Sequence, residues 1–182
     1  MKVTALDIPD VRLIQPRIFG DERGFFYESY SHCGFVEGGI PEVFVQDNHS
    51  LSAAGVLRGL HYQMPPCAQA KLVRVIRGKI FDVAVDLRKS SPTFGRYVSV
   101  TMAAEDKSIL YVPVGFAHGF LALEGPTEVL YKVSREYSPE HERGLIWNDA
   151  SVGIPWPRLE VPYNLSKKDK LYPNLNDAYC FP

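Results

Sequence analysis

The chain has little with which to staple or anchor itself. Its 182 residues include only three cysteines, Cys33, Cys67 and Cys180. They are scattered and form no C-x-x-C, which excludes a disulfide framework and a zinc ribbon. No stretch approaches the roughly 18 consecutive apolar residues of a membrane-spanning helix, and the opening Met1-Lys-Val-Thr-Ala-Leu-Asp-Ile-Pro9 lacks the apolar core of a secretory signal. Neither sign of charge dominates: 20 Lys and Arg against 21 Asp and Glu leave a formal charge of −1. A general affinity for nucleic acid or an anionic membrane would need a basic excess that is missing. Internal repeats, low-complexity tracts and charge blocks are also missing. The expectation is one domain over residues 1–182, cytoplasmic, with reduced thiols.

What is plentiful points to strands. Apolar residues make up 46% and aromatics 12% of the chain, with 14 Gly and 14 Pro, a mixture suited to short strands and tight turns. Residues 79–87 alternate cleanly, with Phe81, Val83, Val85 and Leu87 on one face and Asp82, Ala84 and Asp86 on the other. The run 70–76 precedes them and ends at Arg77-Gly78-Lys79, which reads as a hairpin turn. Further runs at 96–102, 108–112, 119–123 and 127–134 give the spacing of a sandwich or barrel. Only 31–38 and 166–171 look helical. Gly153-Ile-Pro-Trp-Pro-Arg-Leu-Glu-Val-Pro162 carries three prolines, so the carboxy-terminal part is expected to wrap the barrel surface. The predicted fold is an all-β barrel with small helical trimmings.

Polar residues set within apolar strands are the candidates for chemistry. Lys71 shares a face with Val73 and Val75, and Tyr131 shares one with Val129 and Val133. His61 sits in Leu57-Arg-Gly-Leu-His-Tyr-Gln63, and Gln46 and Asn48 share a face. Each alone has an ordinary explanation: a core tyrosine with a satisfied hydroxyl, a snorkelling lysine, a hydrogen-bonded structural histidine. Carried on several strands of a small barrel, they would instead converge on one interior cavity. A neutral imidazole can take a proton from a carbon beside a carbonyl. An ammonium can stabilise the resulting enolate oxygen, and a phenol can return a proton from the other side. A barrel metal site would often use H-x-H on one strand, but here the pattern is His61-Tyr62-Gln63. With His118 as a later histidine and no nearby carboxylate, no metal is predicted.

Longer motifs carry a resemblance. Val56-Leu-Arg-Gly-Leu-His-Tyr-Gln63, residues 69–88 and Tyr111-Val-Pro-Val-Gly-Phe-Ala-His-Gly-Phe120 resemble the dTDP-4-dehydrorhamnose 3,5-epimerases. So do Phe19-Gly-Asp-Glu-Arg-Gly-Phe-Phe-Tyr-Glu28, Gln46-Asp-Asn48 and Leu165-Ser-Lys-Lys-Asp169, all in order from about Ile18 to Leu171. The resemblance implies a cupin-type jelly-roll barrel, a homodimer, and cofactor-independent epimerisation of a nucleotide-linked 4-keto sugar. It implies His61 as base, Asp169 as its orienting partner, Tyr131 as proton donor on the opposite ring face, and Lys71 facing the sugar oxygen. Arg23, Glu28, Gln46, Asn48, Arg58, His118, Glu142 and Lys168 fall on ligand-contacting positions, and Tyr137 where an aromatic ring stacks on thymine.

Some alternatives stay open at this level. Arg58 and His61 are three apart, so strict alternation sends them to opposite faces. A bulge at Gly59 would realign them; otherwise Arg58 serves a neighbouring subunit or is structural. Asp82 and Asp86 are alternative candidate partners for His61, Asp82 the better placed because it sits in mid-strand beside Ala84. A C3-only or C5-only epimerase and, more distantly, a 3,4-ketoisomerase share the base and the nucleotide-binding residues. A non-catalytic sugar-binding cupin would have no need for both His61 and Tyr131, and Gln63 disfavours a metal-dependent oxygenase.

Overall fold

Alternation along the chain resolves into thirteen strands and one short α-helix in the computed structural model, which describes all residues 1–182. In order they are β1 (Lys2–Ala5), β2 (Arg12–Gln15), β3 (Phe19–Asp21), β4 (Gly24–Phe26), α1 (His32–Glu37), β5 (Gln46–Ser52), β6 (Leu57–Gln63) and β7 (Lys71–Arg77). Then follow β8 (Lys79–Asp86), β9 (Tyr97–Ala103), β10 (Ile109–Val112), β11 (Phe116–Ala122), β12 (Thr127–Val133) and β13 (Glu142–Gly144). A six-stranded sheet runs β1-β2-β10-β7-β12-β5, a five-stranded sheet runs β13-β6-β11-β8-β9, and β3-β4 stand apart as a hairpin. All the strand pairs are antiparallel. The result is the expected jelly roll, and no helix is long and apolar enough to cross a membrane.

Because side chains alternate across each strand, the two sheets create three apolar layers. Between the sheets lie Val73, Val75, Ile80, Ala84, Phe116 and Val129. Outside the five-stranded sheet, Leu57, Leu60, Val83, Val85 and Leu87 pack beneath Leu145, Trp156, Leu175 and Phe181. Outside the six-stranded sheet, α1 buries Phe35 against Ile14, Leu72 and Ile109. The richer apolar face of β8 is thus turned to the carboxy-terminal segment, and the face carrying Asp82 and Ala84 looks inward. Burying one large apolar side chain contributes about 1.5–3 kcal/mol, so the wrapping segment is a substantial part of the fold. As its prolines require, it joins no sheet, touching the barrel backbone through isolated bridges Val56↔Asn164 and Arg88↔Phe181.

Three local expectations are corrected. Arg77-Gly78-Lys79 is not a hairpin turn, because β7 already lies between β10 and β12, and β8 between β11 and β9. It is a corner carrying the chain from one sheet to the other, where Gly78 has φ +77° and a Cβ would collide with Thr127. Residues 166–171 form a turn over 167–170, not a helix; its bonds are the local ones from Asp169 N to Ser166 Oγ at 3.1 Å and Leu171 N to Lys168 O at 3.0 Å. β11 starts at Phe116, ahead of the expected residue 119, because pairing with β8 continues to Asp86. That extension places His118 inside a strand.

Candidate active site

A cavity of about 380 Å³ lies where side chains of both sheets meet. The five-stranded sheet contributes Arg58 and His61 from β6, His118 and Phe120 from β11, and Glu142 from β13. The six-stranded sheet contributes Ser50 from β5, Lys71 from β7 and Tyr131 from β12. The turn after Leu165 adds Ser166, Lys168 and Asp169. An adjoining hollow of about 180 Å³ shares His61, Lys71, Tyr131 and Glu142 and adds Gln46, Asn48 and Tyr137.

The geometry of β6 explains how Arg58 and His61 meet here. Against β11, His61 lies opposite His118 while Arg58 lies opposite Phe120, so the register shifts by one residue. This is the bulge expected at Gly59. Gly59 has φ +131° and a Cβ there would stand 2.6 Å from Gly119 Cα, so only glycine fits. Leu57 and Leu60 consequently point to the outer apolar layer, and Arg58 and His61 to the cavity.

His61 Nε2 lies 2.7 Å from Asp169 Oδ1, and the Asp169 side chain is only 4% exposed. The alternative candidates pair elsewhere, Asp82 with His118 and Asp86 with Arg88. Burial opposes ionisation of Asp169, but the hydrogen bond and charge of His61 outweigh it and hold the carboxyl below its ordinary range. A carboxylate can only accept, so Nε2 carries the proton and Nδ1 is left as a base. Tyr172, which the strand patterns did not single out, meets the His61 ring edge to face at 5.7 Å and is backed by Gly144, where a Cβ would collide with it.

Lys71 is buried, with Nζ donating to His61 O at 3.2 Å. Burial pulls its ammonium down to about 8, against the opposing pull of Asp82 and Glu142. Tyr131 enters from the sheet opposite His61, and burial raises its phenol above the ordinary value, so it stays protonated at neutral pH. His118 Nε2 lies 2.7 Å from Asp82 Oδ1, with Asp82 fully buried and the His118 side chain 7% exposed where it lines the cavity.

The rim is a polar mesh. Lys168 Nζ donates to both Glu142 oxygens at 2.7 and 2.8 Å, and Tyr137 OH donates to Glu142 Oε2 at 3.0 Å. Gln46 accepts from Tyr137 N at 2.9 Å and donates to Asn48 Oδ1 at 2.8 Å. Arg58 is steadied by Ser52 Oγ and Leu51 O, both at 3.1 Å. Gln63 clips backbone, donating to Cys67 O and Glu136 O and accepting from Ser138 N. Two expected ligand contacts stand apart from this cavity. Arg23 is exposed on the β3-β4 hairpin and bonded to Asp21. Glu28 lines a separate and larger hollow of about 460 Å³ beside Met1 and α1, which gathers no comparable set of convergent ionisable groups.

Comparison with known proteins agrees with this geometry. The family model for dTDP-4-dehydrorhamnose 3,5-epimerase matches residues 5–177. The chain is 55% identical over 183 residues to the dTDP-4-dehydrorhamnose 3,5-epimerase of Pseudomonas aeruginosa, covering 100% of both. It is 55% identical over 170 residues to that of Shigella flexneri, covering 93% of both. The structure is similar, with TM-score 0.93 and 45% identity, to a crystal structure of dTDP-6-deoxy-D-glucose-3,5-epimerase from Legionella pneumophila in complex with dTDP-4-keto-L-rhamnose. That match covers 97% of this chain and 93% of the other.

Proposed function

This chain belongs to the dTDP-4-dehydrorhamnose 3,5-epimerase family, and from that we infer that it converts dTDP-4-dehydro-6-deoxy-D-glucose to dTDP-4-dehydro-L-rhamnose by inverting C3 and C5. The observation that carries the mechanism is that His61 and Tyr131 enter one cavity from opposite sheets, with Lys71 in the same cavity. Inversion of a ring carbon needs a base on one face and an acid on the other, because a single group would return the proton to its original side.

In this reading the 4-ketone makes the C3 and C5 protons removable. His61 Nδ1 takes the proton, and Asp169 holds the ring and stabilises the imidazolium. The electron pair moves onto the ketone oxygen, where the Lys71 ammonium stabilises the enolate. Tyr131 then delivers a proton to the carbon from the opposite face. These are proton transfers alone and call for no cofactor. Arg58 and Lys168 suit the diphosphate. Gln46, Asn48, His118 and Glu142 suit hydrogen bonding to the nucleotide and sugar, and Tyr137, 53% exposed, suits stacking on thymine.

Arg23 and Glu28 fit this scheme through a homodimer. The β3-β4 hairpin exposes Phe19, Phe25 and Phe26, an apolar surface suited to a second copy whose cavity these two residues would complete. We place the whole chain, as one epimerase domain, in the cytoplasm, in keeping with three unpaired cysteines. The test is incubation with dTDP-4-keto-6-deoxyglucose in deuterated water. Label at both C3 and C5 is expected; label at one alone would make this a monoepimerase, and label at neither would refute the reading.

A further inference from the structure

Two aspartate–histidine pairs face each other across β6 and β11, because His61 and His118 are opposite one another in the register. The first is His61–Asp169. In the second, Asp82 sits in the middle of β8 on the inward face, 0% exposed, with Phe120 as its cross-strand neighbour. A carboxylate sealed among Ile80, Ala84 and Phe120 is costly unless fully partnered. Yet Asp82 Oδ1 alone is engaged, by His118 Nε2 at 2.7 Å, and Asp82 Oδ2 is buried with no hydrogen-bond partner. An unpartnered buried carboxylate oxygen calls for an explanation beyond packing.

We propose that Asp82 is a positioning residue for the epimerisation, fixing the tautomer of His118 and supplying the buried negative charge that balances Lys71. The proposal rests on the epimerase reading of the cavity. Asp82 does not itself line the cavity; His118 does. An ionised Asp82 only accepts, so His118 Nε2 bears its proton and Nδ1 is the lone-pair side. Nδ1 has no partner within the chain and is not sealed off, so His118 offers the sugar an acceptor for a hydroxyl. Burial, against the pull of Asp82, keeps this imidazole below its ordinary value and therefore neutral at pH 7. The ionisable groups sharing the cavity with Lys71 are Arg58 and His61 from β6, His118 from β11, Tyr131 from β12, Glu142 from β13, and Lys168 and Asp169 from the turn after Leu165, with Asp82 behind them on β8. Of these, Asp82 is the first to offset the burial of the ammonium.

The test begins with ¹⁵N NMR of the wild-type histidines at pH 7. His118 should show a protonated Nε2 and a bare Nδ1. The opposite tautomer, or an imidazolium, overturns the proposal without any variant having to fold. In Asp82→Asn, kcat should fall about 10- to 100-fold with KM nearly unchanged. The alkaline limb of the kcat profile should move to lower pH, because Lys71 loses a neighbouring negative charge. Wild-type kcat with a wild-type alkaline limb would overturn the proposal, as would a loss that only follows the unfolded fraction. Failure of the epimerase reading is told apart from this, since it would show as no deuterium exchange by the wild-type enzyme.

Discussion

In the proposed reaction His61 reaches the sugar through Nδ1, because Nε2 is committed to Asp169, and Tyr131 acts from the far side, because burial keeps its phenol protonated. His61→Ala should therefore lower kcat by at least about 10³-fold in protein that retains the native fold by circular dichroism, since a lost base raises the barrier more than it weakens ground-state binding. Tyr131→Phe should slow net inversion more than deuterium exchange at the first carbon; equal slowing of the two would refute the two-face assignment. Lys71 sets a third expectation. Its ammonium is held near 8, below the ordinary lysine value, and in the proposed reaction it serves only while charged. Turnover should decline as pH rises through about 8, and Lys71→Met should leave a low rate without that alkaline limb.

At the level of elements, the cavity depends on a single irregularity. Without the bulge, β6 would send Arg58 and His61 to opposite faces, and one of them would fall among Leu57, Leu60 and Leu145 in the outer layer. Gly59→Ala meets both a φ of +131° and the backbone of Gly119, and neither can relax by rotating a side chain. A loss of about 2 kcal/mol or more is expected, with kcat falling in the fraction that still folds. Urea unfolding together with the deuterium assay checks this. The bulge was legible once the family resemblance put both Arg58 and His61 in the site, because they are three apart with a glycine between them. Tyr172 was not, because nothing in its spacing shows that it braces the His61 ring.

For the molecule as a whole, Asp86 pins the loop between β8 and β9. It is fully buried and accepts hydrogen bonds from Arg88, Ser91 and Thr93, while Arg88 reaches on to Asp10. Burial would raise its carboxyl, but these donors outweigh that and hold it at about 2. A carboxyl lowered from about 3.9 in the unfolded chain contributes stability that is present above pH 4 and lost as pH falls toward 2. The amount is about 2 kcal/mol. Asp86→Asn should flatten the fall in denaturation midpoint over that acid range; an unchanged slope would show that other carboxyls govern it.

Strand positions, the surface course of the proline-rich segment and the residue types of the site can be read from the chain itself, because alternation and proline's missing N–H act within a few residues. The resemblance of Leu165-Ser-Lys-Lys-Asp169 likewise pointed to the partner of His61. Folding in three dimensions settled the rest. It assigned β7 and β8 to different sheets, turned the more apolar face of β8 away from the barrel interior, gave Asp82 to His118, and left Arg23 and Glu28 outside the cavity of their own chain. Each of these outcomes depends on which distant strand wins the hydrogen-bonding edge, and therefore on contacts between residues far apart in sequence, which no local pattern records.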